Sequence, residues 1–171
     1  MNLSENDIDL NVGKYLLQIA ENTKTIFPVL IENISSMSGE KVEFENQDGA
    51  VYEFTLASAA MDLNSVASLF PDDVSVKIIE KVNDYFDAQS PKSSRQIFEY
   101  LDWFKRCVSQ NMNFIEGYGE LLCRIWGFED TEYNFSEGKI KTANPLICMM
   151  VGEAIVKTSV GFWKHVKDEQ K

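Results

Sequence analysis

Few residues in this chain are able to do chemistry, and their spacing decides which chemistry is open. His165 is the single histidine, so multi-histidine metal sites are excluded and one imidazole remains for any serine or cysteine nucleophile. On a helical wheel His165 falls at the border of an apolar face beside Ile147 and Thr158, where a packed or solvated ring is the plainer reading. Cys107, Cys123 and Cys148 lie 16 and 25 residues apart. With His165 they are zinc-type ligands, but none is paired at the short spacing that structural zinc sites use. They read as reduced thiols in apolar surroundings.

Other short patterns fail on their own chemistry. Asn46-Gln47-Asp48-Gly49 resembles part of a calcium loop, yet its first and twelfth positions would be Phe44 and Thr55, neither of which can serve. Gly117-x-Gly119 lacks the third glycine and the Lys-Ser/Thr of a phosphate cradle, and reads as a helix bend or a close helix contact. Glu153 has Lys157 one helical turn on, which suits a solvated ion pair. Residue type alone leaves Glu116, Tyr118, Glu120 and His165 for an enzyme or small-ligand binder with a helical pocket. No catalytic residue, cofactor or metal ligand is assigned.

Charge gives a clearer direction. The chain of 171 residues has 27 acidic and 16 basic side chains, a net charge of −11. That balance argues against direct nucleic-acid binding, which needs cations to neutralise phosphates. Residues 1–60 hold 10 acids against 3 bases, so the acidity is concentrated in the first third. Such a surface suits solubility, or a basic partner. The N-terminus shows no basic segment followed by an apolar run, so no secretory signal is read there. The longest apolar run, residues 145–152, is shorter than the roughly 20 residues of a membrane span. A cytoplasmic location with no membrane partner is the expectation.

The elements that must position these groups read mainly as helices. Ser4 and Asp7 mark a capped start, followed by Ile8, Val12, Tyr15, Ile19, Ile26, Leu30 and Ile34 at helical spacing. Pro28 predicts a break near residues 23–27, because proline lacks the N–H and clashes one turn back. Alternation on both sides of Asp48-Gly49 predicts a β-hairpin near residues 41–56, with Val42 and Phe44 sharing a face with Tyr52 and Phe54. Pro71 with Asp72 and Asp73 starts another helix, whose core face is Val74, Ile78, Val82 and Tyr85.

From Ile97 to Ile125 apolar residues step by fours and threes through Leu101, Phe104, Val108, Ile115, Tyr118 and Leu122, with Asn111 on the seam. That seam is one helix of about 43 Å, or two with a bend at Gly117-Gly119. Residues 132–141 could close a second short hairpin. Asn144-Pro145 caps a last helix, apolar nearly all round and therefore central.

The expected fold is mostly α within an α+β class. It is a single helical domain over residues 1–171, a bundle of about five to six helices with a hairpin near 41–56 and room for a second near 132–141. The expected function is an acidic interaction module of inhibitor type, immunity-like or anti-defence-like, that covers a basic surface on a partner protein. Its contact residues would be Glu43, Glu45, Asp48 and Glu53, with Glu129, Asp130, Glu132, Tyr133 and Phe135 in the later acidic and aromatic segment. The alternatives are a homo-oligomeric regulatory or assembly protein, suggested by the seam and the hairpin's free edge, and the helical-pocket binder or enzyme.

Overall fold

The computed structural model describes residues 3–109, 113–128, 131–135, 138–159 and 161–169, the side chains of 108, 114, 131–135 and 138–142 excepted. Helix α1 runs Glu5–Ser38 from the predicted start: the Ser4 hydroxyl accepts from the Asp7 N–H, and the Asp7 carboxylate accepts from the Ser4 N–H, each at 3.2 Å. It does not break before Pro28. Phe27, Leu30 and Ile34 are buried on the same stripe as Ile8, Tyr15 and Ile19, so burial on both sides of the proline holds one axis. Pro28 and Lys24 are exposed, which leaves the Lys24 carbonyl open to water in place of its missing partner.

Residues 47–56 are helical, which overturns the hairpin near 41–56 and the mixed α+β class with it. Helix α2 runs Gln47–Leu69. Asn46 is its N-cap: the side-chain oxygen accepts from the Gly49 N–H at 2.9 Å. The segment that resembled a hairpin turn is thus a helix start. Burial decides between them, because Ala50, Phe54, Ala57 and Leu63 reach the core only at helical spacing. Phe44 and Phe54 still share a neighbourhood, through Phe27 and Trp126 rather than across strands.

Helix α3, Asp72–Gln89, follows Pro71 and buries Val74, Ile78 and Val82; Phe86 takes the core place expected of Tyr85, which is exposed. Helix α4, Ser93–Ser109, starts where the Asp87 carboxylate accepts from the Ser94 N–H at 2.9 Å. The Tyr52 hydroxyl bonds Ser93 Oγ at 2.8 Å and the Phe86 carbonyl at 3.2 Å, joining α2, α3 and α4. Helix α5, Phe114–Ile125, is capped by Asn113. The seam is therefore two helices, separated between Ser109 and Phe114 rather than at Gly117-Gly119; Asn111 lies outside the described residues. Ile97, Tyr118 and Leu122 on the seam are buried inside the bundle.

Strands β1 (Thr131–Phe135) and β2 (Gly138–Thr142) pair antiparallel, Tyr133 opposite Ile140, and are the β structure among the described residues. Helix α6, Pro145–Thr158, begins as predicted, with Asn144 accepting from the Leu146 N–H at 2.9 Å. It buries Ile147, Cys148, Val151, Gly152 and Ile155 against α1, α2 and α5. Helix α7, Phe162–Asp168, seats Trp163 in the core against Tyr15 and Phe70. Residues 145–168 contain the one stretch among those described that is long and apolar enough to cross a membrane, and 53% of its most apolar 18-residue window is buried in the bundle.

Helices α5 and α6 meet backbone to backbone. A Cβ on Gly119 would stand 1.7 Å from the Cys148 carbonyl oxygen, and one on Gly152 would stand 1.8 Å from the Ile115 carbonyl oxygen. Neither carbonyl can yield as a side chain would. The Cys123 thiol lies beside Cys148 across this contact and lowers the Cys148 pKa. All three cysteines are buried thiols outside any disulfide.

One acid sits in the core. Asp62 on α2 is 5% exposed, and burial pushes its pKa from 3.8 up to about 8. The Tyr15 hydroxyl lies beside it and favours the carboxylate, though without standard hydrogen-bond geometry.

Gly119→Ala should destabilise the fold by about 3 kcal/mol or more. Gly13→Ala, on the exposed face of α1 where a Cβ meets nothing, should stabilise it by about 0.5–1 kcal/mol. Urea unfolding measures both. For Asp62 the folded state holds the proton more tightly than the unfolded chain does. Its contribution is therefore fully present below about pH 4 and is lost as pH rises through about 8. Asp62→Asn should flatten that decline and gain on the parent chain by about 1–3 kcal/mol at pH 9, as read from urea midpoints at pH 5, 7 and 9.

Candidate acidic–aromatic groove

Two adjoining cavities meet at Glu53 and Ile125. The first, about 440 Å³, is walled by Gln96, Glu99, Tyr100, Trp103 and Arg106 of α4 and by Leu121 of α5. The second, about 470 Å³, is walled by Glu43, Phe44, Glu45 and Asn46 of the segment before α2, by Gly49 and Ala50 of α2, and by Trp126 at the end of α5. Together they form a groove with carboxylates on its rim and aromatic rings in its walls.

Each wall is set by a local reason. Tyr100 on α4 and Glu53 on α2 are brought together because both helices bury their neighbours, Ile97 and Phe54, in the same core. Trp103 is fixed by donating its indole N–H to the Gly117 carbonyl at 2.7 Å, which ties α4 to α5. Trp126 stands in an aromatic cluster, with its ring 5.5 Å from Phe44, 5.8 Å from Phe27 and 5.8 Å from Phe128. That cluster pins the irregular segment of residues 40–46, whose Val42 N–H also donates to Ser35 Oγ at 2.9 Å.

Glu53 is the fixed point of the groove. It is half-buried; Oε1 accepts from Gln96 Nε2 at 2.9 Å and Oε2 accepts from the Tyr100 hydroxyl. Burial first, and the Glu53 charge second, raise the Tyr100 pKa well above that of a free phenol, so this hydroxyl stays a donor. No ion pair reaches Glu53 or Glu45 among the described residues. Glu43 is paired with Lys41 at 2.6 Å and Glu99 with Arg95 at 3.0 Å, both on open surface where such pairs add little. The Lys41 hydrogen bond lowers the Glu43 pKa. Arg106, the one cation in the walls, is held by Asp102 at 2.9 Å and lies 5.6 Å from the Trp103 ring centre.

The sequence-predicted contact residues divide. Glu43, Glu45 and Glu53 are brought to this groove. Asp48 lines a different, smaller cavity with Lys24, Tyr52 and Tyr85. Glu129 and Asp130 lie outside the described residues, and for Glu132, Tyr133 and Phe135 the strand backbone alone is described. The sequence reading missed Gln96, Glu99, Tyr100 and Trp103. They recur at helical intervals of three, one and three, a polar–aromatic row beside the Ile97–Leu101–Phe104 seam, and that row was their available signal.

The groups considered for an enzyme lie on α5 (Glu116, Tyr118 and Glu120) and α7 (His165), and none lines the groove. Tyr118 is buried, with a hydroxyl that has no partner, and burial raises its pKa. Glu120 pairs with Arg124, and His165 is exposed on α7 with Nε2 3.1 Å from Glu169. Of the features that suggested a homo-oligomer, the expected hairpin edge is a helix, and on the seam Ile97, Tyr118 and Leu122 are buried whereas Ile125 is exposed. A third, mainly apolar groove of about 250 Å³ lies between α1 and α6, lined by Ile26, Val29 and Met150 and flanked by Glu153 and Lys157. Comparison with protein families, curated proteins and solved structures finds no match to this chain.

Tyr100→Phe removes one of two donors from the Glu53 carboxylate while keeping the ring. It should cost about 1–3 kcal/mol in urea unfolding at pH 7. Ser109→Ala, which removes an exposed hydroxyl bonded to the Arg106 carbonyl, should stay within about 0.5 kcal/mol.

Proposed function

We propose that this chain is a cytoplasmic protein-binding module that docks a basic segment of a partner protein in the acidic–aromatic groove. Glu53 carries the reading: a half-buried carboxylate, oriented by two neutral donors, with no cation upon it among the described residues. A carboxylate held in this way has its desolvation partly met in advance, so an incoming cation gains the attraction without ordering the acid. Glu45 and Glu43 on the rim, with the net charge of −11, would steer the approach. Phe44, Trp103 and Trp126 would supply the apolar area that holds the bound segment. This is the inhibitor-type reading, immunity-like or anti-defence-like, in which the module would act by covering a basic surface of its partner.

The test is association of the chain with a blocked peptide of mixed Lys and Arg, followed by biolayer interferometry. The association rate should fall at least tenfold from about 20 to 300 mM salt. Glu45→Lys should weaken binding at least fivefold. Asp73→Lys, an equal charge change at the exposed start of α3, should leave it within twofold. No binding, or equal losses for the two variants, would remove the groove from consideration.

A further inference from the structure

We infer that the groove selects arginine over lysine, its specific occupant being a guanidinium seated on Glu53. The inference rests on the docking role proposed above and names the side chain that role would recognise. Both Glu53 oxygens are fixed by single hydrogen bonds, from Gln96 to Oε1 and from Tyr100 to Oε2. Each oxygen therefore keeps an unused lone pair. Two acceptors held side by side match the two parallel N–H groups of a guanidinium, which is the geometry of bidentate Arg–carboxylate pairs. A lysine ammonium is a compact, strongly hydrated point charge and cannot use both acceptors in a plane.

The walls favour the same cation. A planar, weakly hydrated guanidinium gains from aromatic surface where an ammonium gives up water. The chain already shows this in the same cavity: the Arg106 guanidinium lies 5.6 Å from the centre of the Trp103 ring. Arg106 is engaged by Asp102, so it does not satisfy Glu53. On the other side of Glu53 the walls are Phe44 and Trp126, in a cavity of about 470 Å³.

Two blocked eight-residue peptides decide the question, one alternating Arg with Gly and the other alternating Lys with Gly, titrated into the full chain by isothermal calorimetry at 100 mM salt. The arginine peptide should bind at least tenfold more tightly than its lysine twin. Glu53→Gln, which keeps shape and one acceptor, should erase that preference with the helical circular dichroism unchanged. Glu45→Gln, at the rim, should weaken both peptides alike and keep the preference. Equal binding of the two peptides to the parent chain, or a preference that survives Glu53→Gln, would overturn the arginine inference and leave the docking role standing. Binding of neither peptide would overturn the docking role itself. If Glu53→Gln fails to fold, the parent chain and Glu45→Gln still decide the comparison.

Discussion

The backbone contacts of Gly119 with Cys148 and of Gly152 with Ile115 are the constraint on which the rest of the arrangement depends. Two helix backbones approach until carbonyl oxygens occupy the space where side chains would begin. This brings α5 against the central helix α6 and so sets the height and direction of α5. Everything carried by α5 is placed by that contact: the Gly117 carbonyl that receives the Trp103 indole, and Leu121, Ile125 and Trp126 along the groove. Helix pairs held in this way gain dispersion contacts along their length, and they forfeit room for change at the glycines.

The groove then follows from three elements that converge for reasons of burial. Helix α2 must bury Phe54 and Leu63, α4 must bury Ile97, and the segment before α2 is drawn in by Phe44. Their polar residues arrive together as a by-product. Glu53 and Tyr100 stand 47 positions apart in sequence and share a hydrogen bond because their apolar neighbours share a core. The core also tolerates a second, different acid. Asp62 has a phenol beside it, pairs with no cation among the described residues, and sits where burial favours the protonated form. Glu53, at a half-open site with two donors, is the acid the fold presents outward.

Local chemistry made much of the helical frame readable. The Ser4–Asp7 capping box and Asn144-Pro145 satisfy orphan N–H groups at a helix start, Pro71 with two following acids suits the backbone angle and dipole of one, and each marks a start. Two of the errors have a common cause. Pro28 and the Asp48-Gly49 pair are strong local signals for a break and a turn, and in both places burial on either side outweighs them. Between residues 41 and 56 alternation over a few positions also fits one helical stripe, and the deciding partners, Phe27 and Trp126, are distant in sequence. The groove was legible in part. The acids of residues 43–53 were visible as a cluster, whereas the α4 row that fixes Glu53 carries no feature to separate it from an ordinary solvated face.

The three tryptophans are divided between two environments. Trp163 is fully enclosed between α1, α2 and α7, while Trp103 and Trp126 stand in the two halves of the groove, one beneath a guanidinium and one in a nest of rings. Indole emission responds to the polarity and charge around each ring. The molecule thus carries an internal optical gauge with separate channels: loss of the core would show first in Trp163, and any cation settling between α2 and α4 would show in the other pair while Trp163 stayed silent.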